Sequence, residues 1–327
     1  MIVDFQHHYS PRELFKEAET SGRQVVHYDQ KGAPTFNAHA MLYDLDQHIA
    51  MMDLAGIDVA VLTSPHGMRA DLEGARFIND RNREAEKAYP GRFIALGHAN
   101  PLEGAPALRE VARCAEELGF PGVVIQSELK GKCVDDPAFE PFWAEAERRG
   151  LYVFIHPALG VPDVPMYDAD DLGRAVGREF SLIAATIRLI NGGVLDRHPA
   201  LRIHLAHLGG GIASLLGRIR GFQDKTFWAT RESPRHGRLP QHDIDWYLAN
   251  RMVSDTAGFC GDIRSVRNAL TELPAGRIVF GSDYPQEIRS AEKVRDFVRD
   301  IRALGADGEA ILAGNVPLLL DGARRAA

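Results

Sequence analysis

Short apolar runs alternate with longer stretches of helical period along this chain. Runs that are apolar on both parities fall at Ile2–Phe5, Val59–Thr63, Phe93–Gly97, Gly122–Gln126, Tyr152–Ile155, Ile203–Ala206, Met252–Ser254 and Ile278–Phe280. A strand without a polar face is buried on both sides, as in a parallel sheet covered by helices. Segments with a 3.6-residue period lie between them, at Asp46–Leu54, Gly74–Tyr89, Ala105–Leu118, Phe139–Arg149, Phe180–Leu195, Ile263–Leu273 and Ala291–Leu304. Gly119 and Gly150 stand where a helix stops just before the next strand. Eight strands alternating with helices predict an α/β chain closed into a (β/α)8 TIM barrel rather than an open sheet.

Two stretches break this rhythm. Ser21–Leu42 lies between the first strand and its helix, and Gly160–Gly177, with Pro162, Pro165 and the adjacent acids Asp170 and Asp171, follows the fifth strand. Both are strand-to-helix connections, the face on which barrels carry their active sites. Neither has the apolar periodicity of a core element, so both are expected to form pocket walls. Tyr167, beside Met166, offers an aromatic surface to a planar substrate ring. The competing reading makes these stretches solvated loops or subunit contacts. Phe222–Tyr247 is polar and contains proline, and reads as a surface helix plus loop.

The 327 residues suit one barrel domain spanning 1–327, since such a barrel takes roughly 250 residues and the insertions account for more. An apolar share of 45% and a charged share of 25% describe an ordinary soluble chain and exclude a disordered or collagenous one. The formal charge of −7, with no basic block, argues against nucleic-acid or membrane partners. It leaves an anionic small-molecule substrate open, because a pocket can be locally positive. Three isolated cysteines, with no C-x-x-C pair, suit a reducing compartment. The start, Met1 to His8, lacks a basic flank and an apolar segment, so a cytoplasmic location is expected.

The sharpest chemical pattern is a set of polar residues at strand carboxyl ends. Gln6, His7 and His8 end the first strand, His156 the fifth, His207 the sixth and Asp283 the eighth. Barrel closure brings such ends together, and imidazoles with a carboxylate suit a borderline divalent cation such as zinc. His66 and His98 follow strands two and three; each either enters the pocket mouth or faces water. Lys130 either meets a substrate carboxylate or is solvated. His204, three residues before His207, is expected on the opposite face of its strand, under the helices. Gly209–Gly211 lacks the Lys-Ser/Thr of a phosphate loop and reads as a tight turn beside His207.

At these residues the chain resembles the amidohydrolase superfamily, in the branch of aminocarboxymuconate-semialdehyde decarboxylase and related aromatic-acid decarboxylases. The resemblance is carried by Met52–Asp58, Phe142–Arg148, Phe154–Pro157, Gly192–Leu201, Ala206–Gly211, Asp255–Phe259, Arg277–Pro285 and Gly314–Val316. It implies metal ligands at the first-strand pair (Gln6 and His8), at His156 and at Asp283, with His207 as general acid/base and Asp283 sharing in proton transfer. The family's first-strand motif is Asp-x-His-x-His; here it is Asp4-Phe-Gln-His-His, with Gln6 in place of the first histidine. Gln6 is a neutral, weaker ligand, so the site either holds its metal more loosely or has lost it. His7 cannot substitute, because adjacent strand residues point to opposite faces. The resemblance further implies a homodimer, with Asp255–Phe259 and the fifth-strand insertion near the subunit contact.

The expected activity is metal-dependent, nonoxidative decarboxylation of a carboxylated aromatic or ring-derived unsaturated acid. The expected cofactor is one divalent ion, zinc or else manganese, with His66 and Tyr167 contacting substrate. Hydrolysis by metal-bound hydroxide uses the same residues and is the alternative. A metal-free binding barrel, for which Gln6 is the best support, is the remoter one.

Overall fold

The computed structural model describes residues 1–16, 24–28, 32, 34–160, 164–223 and 240–320. Val3–His8 (β1) pairs in parallel with Val59–Thr63 (β2), Val3 opposite Val59 and His8 opposite Thr63. Strand β3 runs as Phe93–Ala95 and Gly97–His98, interrupted at Leu96; its first piece pairs with β2. Its second piece pairs with Gly122–Gln126 (β4). Parallel pairing continues through Tyr152–His156 (β5), Arg202–Leu205 (β6), Met252–Asp255 (β7) and Ile278–Val279 (β8). The circle closes where the end of the chain returns to its start. Phe5 N donates to Phe280 O at 2.8 Å, His8 N to Tyr284 O at 2.8 Å, and Asp283 N to Gln6 O at 2.9 Å.

The expected TIM barrel is therefore the observed one, with its limits moved by a few residues. β1 extends through the polar Gln6, His7 and His8, all buried. They belong to the strand because the barrel interior supplies partners for them. Helices start at side-chain caps: Asp44, Asp71 and Ser290 each accept from a backbone N–H in the first turn that follows. Helix Ala291–Arg302 buries Val294, Phe297, Val298 and Ile301 and leaves its charged face outward. Tyr152, Phe154 and Phe280 are fully buried in a core cluster that runs around the barrel.

Both insertions have structure of their own. In the first, Val25–Tyr28 and Pro34–Ala38 form an antiparallel hairpin, followed by a 3₁₀ turn at Ala40–Leu42. Phe36, Ala38 and Leu42 pack with Phe15 into a small separate core, so this segment is more than a solvated loop. Residues 21–23, 29–31 and 33 of it lie outside the described residues. The second forms a 3₁₀ turn at Pro165–Tyr167 and a π-helical turn at Gly173–Gly177. The π turn feeds directly into helix Arg178–Asn191; residues 161–163, with Pro162, lie outside the description. Most of the expected surface helix and loop at Phe222–Tyr247, residues 224–239, also lies outside it. Among the described residues no helix is long and apolar enough to cross a membrane.

Candidate active site

His8, at the end of β1, and Asp283, just beyond β8, meet across the barrel seam with His8 Nε2 2.9 Å from Asp283 Oδ1. His156 reaches the same place from β5, its ring centroid 5.3 Å from that of His8. Hydrogen bonding fixes which nitrogen each imidazole presents. His156 Nδ1 donates to the carbonyl of Pro157 at 2.9 Å, so in the neutral ring Nε2 is the bare nitrogen. Thr63 directs its hydroxyl to the carbonyl of His7 at 3.4 Å and sits 2.9 Å from His8 Nδ1. With Nδ1 as the donor to Thr63, Nε2 is the nitrogen that His8 turns to Asp283, bare only where a cation takes the place of its proton. Burial, with His8 and His207 nearby, holds His156 well below the usual histidine range, so it is neutral at physiological pH.

His207 stands beside this set. Its Nδ1 lies 2.8 Å from Glu179 Oε1, its Nε2 2.9 Å from the Gln6 amide and 3.5 Å from Asp283 Oδ2. The Gln6 amide satisfies its surroundings when its nitrogen donates to Asp255 Oδ2 (2.8 Å) and its oxygen accepts from His207 Nε2 (2.9 Å). Burial pulls the His207 pKa down, but the carboxylates of Glu179 and Asp283 outweigh it and hold it well above the usual range. Both carboxylates thus favour the protonated form of His207. Burial would raise Asp283, yet the imidazoles of His207 and His8 hold it well below the usual carboxylate range. Glu287 is pushed up to about 7 by burial and by Asp283.

The backbone that delivers these groups is unusual. Asp283 has φ 54° and His207 φ 55°, and the left-handed conformation continues through Leu208, Gly209, Gly210 and Gly211. Non-glycine residues held there mark backbone the surrounding structure over-determines. At Gly258, with φ 84°, an added Cβ would sit 2.1 Å from His207 Cγ. Gly258→Ala is expected to push the His207 ring off Glu179 and to lower turnover by roughly 10²-fold, the usual scale for an ångström of misplacement. The check is kcat alongside metal content, which should stay unchanged.

A pocket of about 420 Å³ opens onto His8, His156, His207 and Asp283. Thr35, Phe36 and Asn37 from the first insertion and Asp171, Arg174 and Ala175 from the second line it, with Arg178, Glu179, Gln286 and Glu287. Both insertions thus contribute walls, as expected from the sequence.

Not every expected residue arrives. Gln6 turns its amide to His207 and Asp255 and is not offered to a metal with His8. His66 sits behind the wall, with Nδ1 2.9 Å from Ser10 Oγ and its ring edge-on to Phe36 at 5.0 Å. Tyr167 is half-buried on its 3₁₀ turn and is not among the lining residues. His98 is buried outside the pocket mouth, accepting from Ser64 N at 2.9 Å, and burial lowers it to about 3. His204 does not lie under the helices. It stacks on Phe154 at 4.2 Å inside the barrel and contacts Asp255 Oδ2 at 2.8 Å. Strand parity fails there because β6 ends at Leu205 and the left-handed turn swings His207 back toward the same interior.

Asp255, expected near a subunit contact, is fully buried and supports the site from below: it accepts from the His207 backbone N–H at 3.0 Å and faces Gln6 and His204. His7 points away from the pocket, 3.0 Å from Asp4 and 2.9 Å from His48. Sequence reasoning missed Glu179, Thr63, Arg178 and Glu287. The one available signal was for Glu179, an acid opening the helix that directly follows the second insertion.

Among the described residues no three His, Cys, Asp or Glu side chains stand in finished metal-ligand geometry. The donor chemistry nevertheless fits a divalent cation. Asp283 Oδ1 is buried without an aligned hydrogen-bond donor, and His8 and His156 line the same pocket with their Nδ1 atoms engaged elsewhere. Two imidazoles and a carboxylate oxygen are a common ligand set for zinc and its neighbours.

Several known proteins are similar to this chain. The 2-amino-3-carboxymuconate-6-semialdehyde decarboxylase of Dictyostelium discoideum is 30% identical over 253 residues, covering 74% of this chain and 67% of that enzyme. The gamma-resorcylate decarboxylase of Rhizobium radiobacter is 29% identical over 267 residues, covering 76% of this chain and 79% of that enzyme. The crystal structure of 2,6-dihydroxybenzoate decarboxylase with 2,6-dihydroxybenzoate matches the fold with a TM-score of 0.78 at 24% identity, over 97% of this chain and 98% of that one. The dihydroxybenzoic acid decarboxylase of Polaromonas, solved with manganese and the inhibitor 2-nitroresorcinol, matches at 0.78 and 22% identity, over 97% and 96% of the two chains. Residues 3–315, nearly the whole barrel, fit the family model described as amidohydrolase, and the chain belongs to that family.

Proposed function

We propose that this chain is a metal-dependent, nonoxidative decarboxylase of a carboxylated aromatic or ring-cleavage-derived unsaturated acid. The observation that carries this reading over hydrolysis is the seat of His207, whose Nδ1 lies 2.8 Å from Glu179 Oε1 and whose Nε2 lies 2.9 Å from the Gln6 amide and 3.5 Å from Asp283 Oδ2. The carboxylates of Glu179 and Asp283 favour the protonated ring, which suits a residue that gives a proton, whereas hydrolysis asks for a base that takes one from water. The named relatives, all decarboxylases, support the same choice.

His8, His156 and Asp283 would hold the cation, with Gln6 outside the set as the partner that orients His207. Zinc suits these donors, and the manganese of the Polaromonas enzyme makes it the other candidate. Bound there, the ion would supply Lewis-acid stabilisation of negative charge on a substrate oxygen. The pocket walls would hold the ring, with the His207 Nε2–H leaving the Gln6 amide oxygen for the carbon that carries the carboxylate. As the C–C bond breaks, its electron pair stays on that carbon, the His207 proton is transferred to it, and carbon dioxide leaves. Solvent then returns a proton to His207. The reading includes one barrel domain, a homodimer and a cytoplasmic location, the last resting on three cysteines that form no disulfide.

The test is a metal-supplemented screen of hydroxybenzoates, muconate semialdehydes and ring-cleavage products in D₂O. Carbon dioxide release with one deuterium at the vacated carbon is expected. Hydrolysis of a C–C, ester, lactone or amide bond without carbon dioxide would move the assignment to the alternative chemistry.

A further inference from the structure

Three fully buried side chains from three strands meet beneath the pocket: Asp255 of β7, Gln6 of β1 and His204 of β6. The two oxygens of Asp255 face different partners. Oδ1 accepts from the backbone N–H groups of His207 and Ala257, both at 3.0 Å. Oδ2 lies 2.8 Å from His204 Nε2 and 2.8 Å from the Gln6 amide nitrogen. An ionised carboxylate accepts and never donates, so His204 carries its ring proton on Nε2 and Gln6 turns its nitrogen to Asp255. That orientation leaves the Gln6 oxygen 2.9 Å from His207 Nε2. Gly281 allows the close packing: a Cβ added there would sit 3.0 Å from Asp255 Cβ and 3.1 Å from Gln6 Cβ.

A supporting role uses Oδ1 alone, which holds the left-handed turn at His207. It leaves unexplained why Oδ2 is shared by two donors that meet nowhere else. His204 stacks on Phe154 at 4.2 Å and its Nδ1 is buried without a partner, so among the described residues its ring makes its polar contact with Asp255 alone. We infer that Asp255, aimed by His204, is a positioning residue that dictates which end of the Gln6 amide meets His207. The amide oxygen then faces Nε2 and suits a nitrogen that carries a proton. Reversed, the amide would set its N–H against Nε2 and favour that nitrogen bare. Gln6 thereby relays hydrogen-bond polarity from the barrel interior to the reacting ring. This inference rests on the proposed reading for the use made of the His207 proton, and its test separates the two.

Asp255→Asn is the test, because it keeps the size of the side chain and its Oδ1 while placing an N–H₂ where Oδ2 stood. The backbone N–H groups of His207 and Ala257 retain their acceptor, but Gln6 must now turn its oxygen inward and its nitrogen to His207. In zinc-loaded full chain, with the substrate found by the metal-supplemented screen, kcat is expected to fall roughly 10²-fold, the scale of lost general acid catalysis, while KM and metal content stay nearly constant. Adding Gln6→Glu offers an oxygen to both neighbours and should return at least about 10-fold of that loss. In the native background Gln6→Glu sets two carboxylates against each other and should lower kcat. His204→Gln, which keeps a side-chain N–H, should retain more activity than His204→Phe. Spectra of ¹⁵N-histidine protein read the same reversal without substrate: the Nε2 proton of His207 is present in native protein, lost in Asp255→Asn and restored by Gln6→Glu. Unchanged kcat and spectrum in Asp255→Asn would overturn the inference, as would equal activity of the two His204 variants. So would a loss that Gln6→Glu deepens with a lowered unfolding temperature, which would make Asp255 a structural support only. A gain from Gln6→Glu in both backgrounds, with more metal bound, would make position 6 a ligand and overturn it too. If the variants behave as described but the products are those of hydrolysis, the decarboxylase reading falls and the positioning role stands. If native protein releases carbon dioxide and Asp255→Asn is as active, the positioning role falls and the decarboxylase reading stands.

Discussion

His207→Gln is expected to retain its metal and to lose roughly 10²–10⁴-fold in turnover, the range for removal of a general acid/base. The expectation rests on position: His207 contacts Glu179, Gln6 and Asp283, whereas His8 and His156 engage Nδ1 elsewhere and keep Nε2 for the cation. Metal content by atomic absorption, measured beside kcat, decides it. A parallel fall in both would make His207 a ligand. The pH profile gives a second check with a definite sign. Glu179 raises the His207 pKa, so Glu179→Gln lets the proton go at lower pH. Activity that depends on this proton declines as pH rises, and in Glu179→Gln that decline should begin at lower pH.

His156→Ala should have the larger consequence, near-complete loss of both bound metal and activity after dialysis. The ring is neutral at working pH because burial suppresses its charged form, and the bond to the Pro157 carbonyl fixes the tautomer. The neighbouring donors are engaged: His207 faces Glu179 through Nδ1 and the Gln6 amide oxygen through Nε2, and the Gln6 nitrogen faces Asp255. The comparison is metal per chain and unfolding temperature with and without added zinc or manganese. Native protein should be stabilised by either ion, by about 2.7 kcal/mol at a hundred times Kd, and His156→Ala by neither. Stoichiometric metal in His156→Ala would remove it from the ligand set.

The barrel was legible because its strands are apolar on both parities, a pattern only a double-sided environment explains. His8, His156, His207 and Asp283 were legible for a related reason: each follows such a run, and closure alone makes them neighbours. Gln6 and Tyr167 show where this logic stops. A strand position tells which way a side chain leaves the backbone, but not which partner its head group chooses, and Asp255 outcompeted the expected role of Gln6. Tyr167 sits in an insertion, where no period fixes direction. His204 was misplaced because alternation was carried past Leu205 into a left-handed turn. Glu179 and Arg178 were missed because an Arg-Glu pair at a helix start looks like ordinary solvated charge; their roles come from contacts with His207, Thr35 and Leu159, all distant in sequence.

The seam between β1 and β8 bears on how this chain is made. Ser282 donates from both N–H and Oγ to the Asp4 carboxylate, across 278 residues of sequence. During synthesis β1 therefore waits with one edge unpaired until nearly the whole polypeptide has appeared. Such an edge invites pairing with another chain, and closure over so long a loop is slow. The buried Asp4, Gln6 and His7 on that strand are a partial safeguard, since polar groups make an isolated β1 a poor template for aggregation. Gln6, which orients His207, would then also help protect the nascent chain.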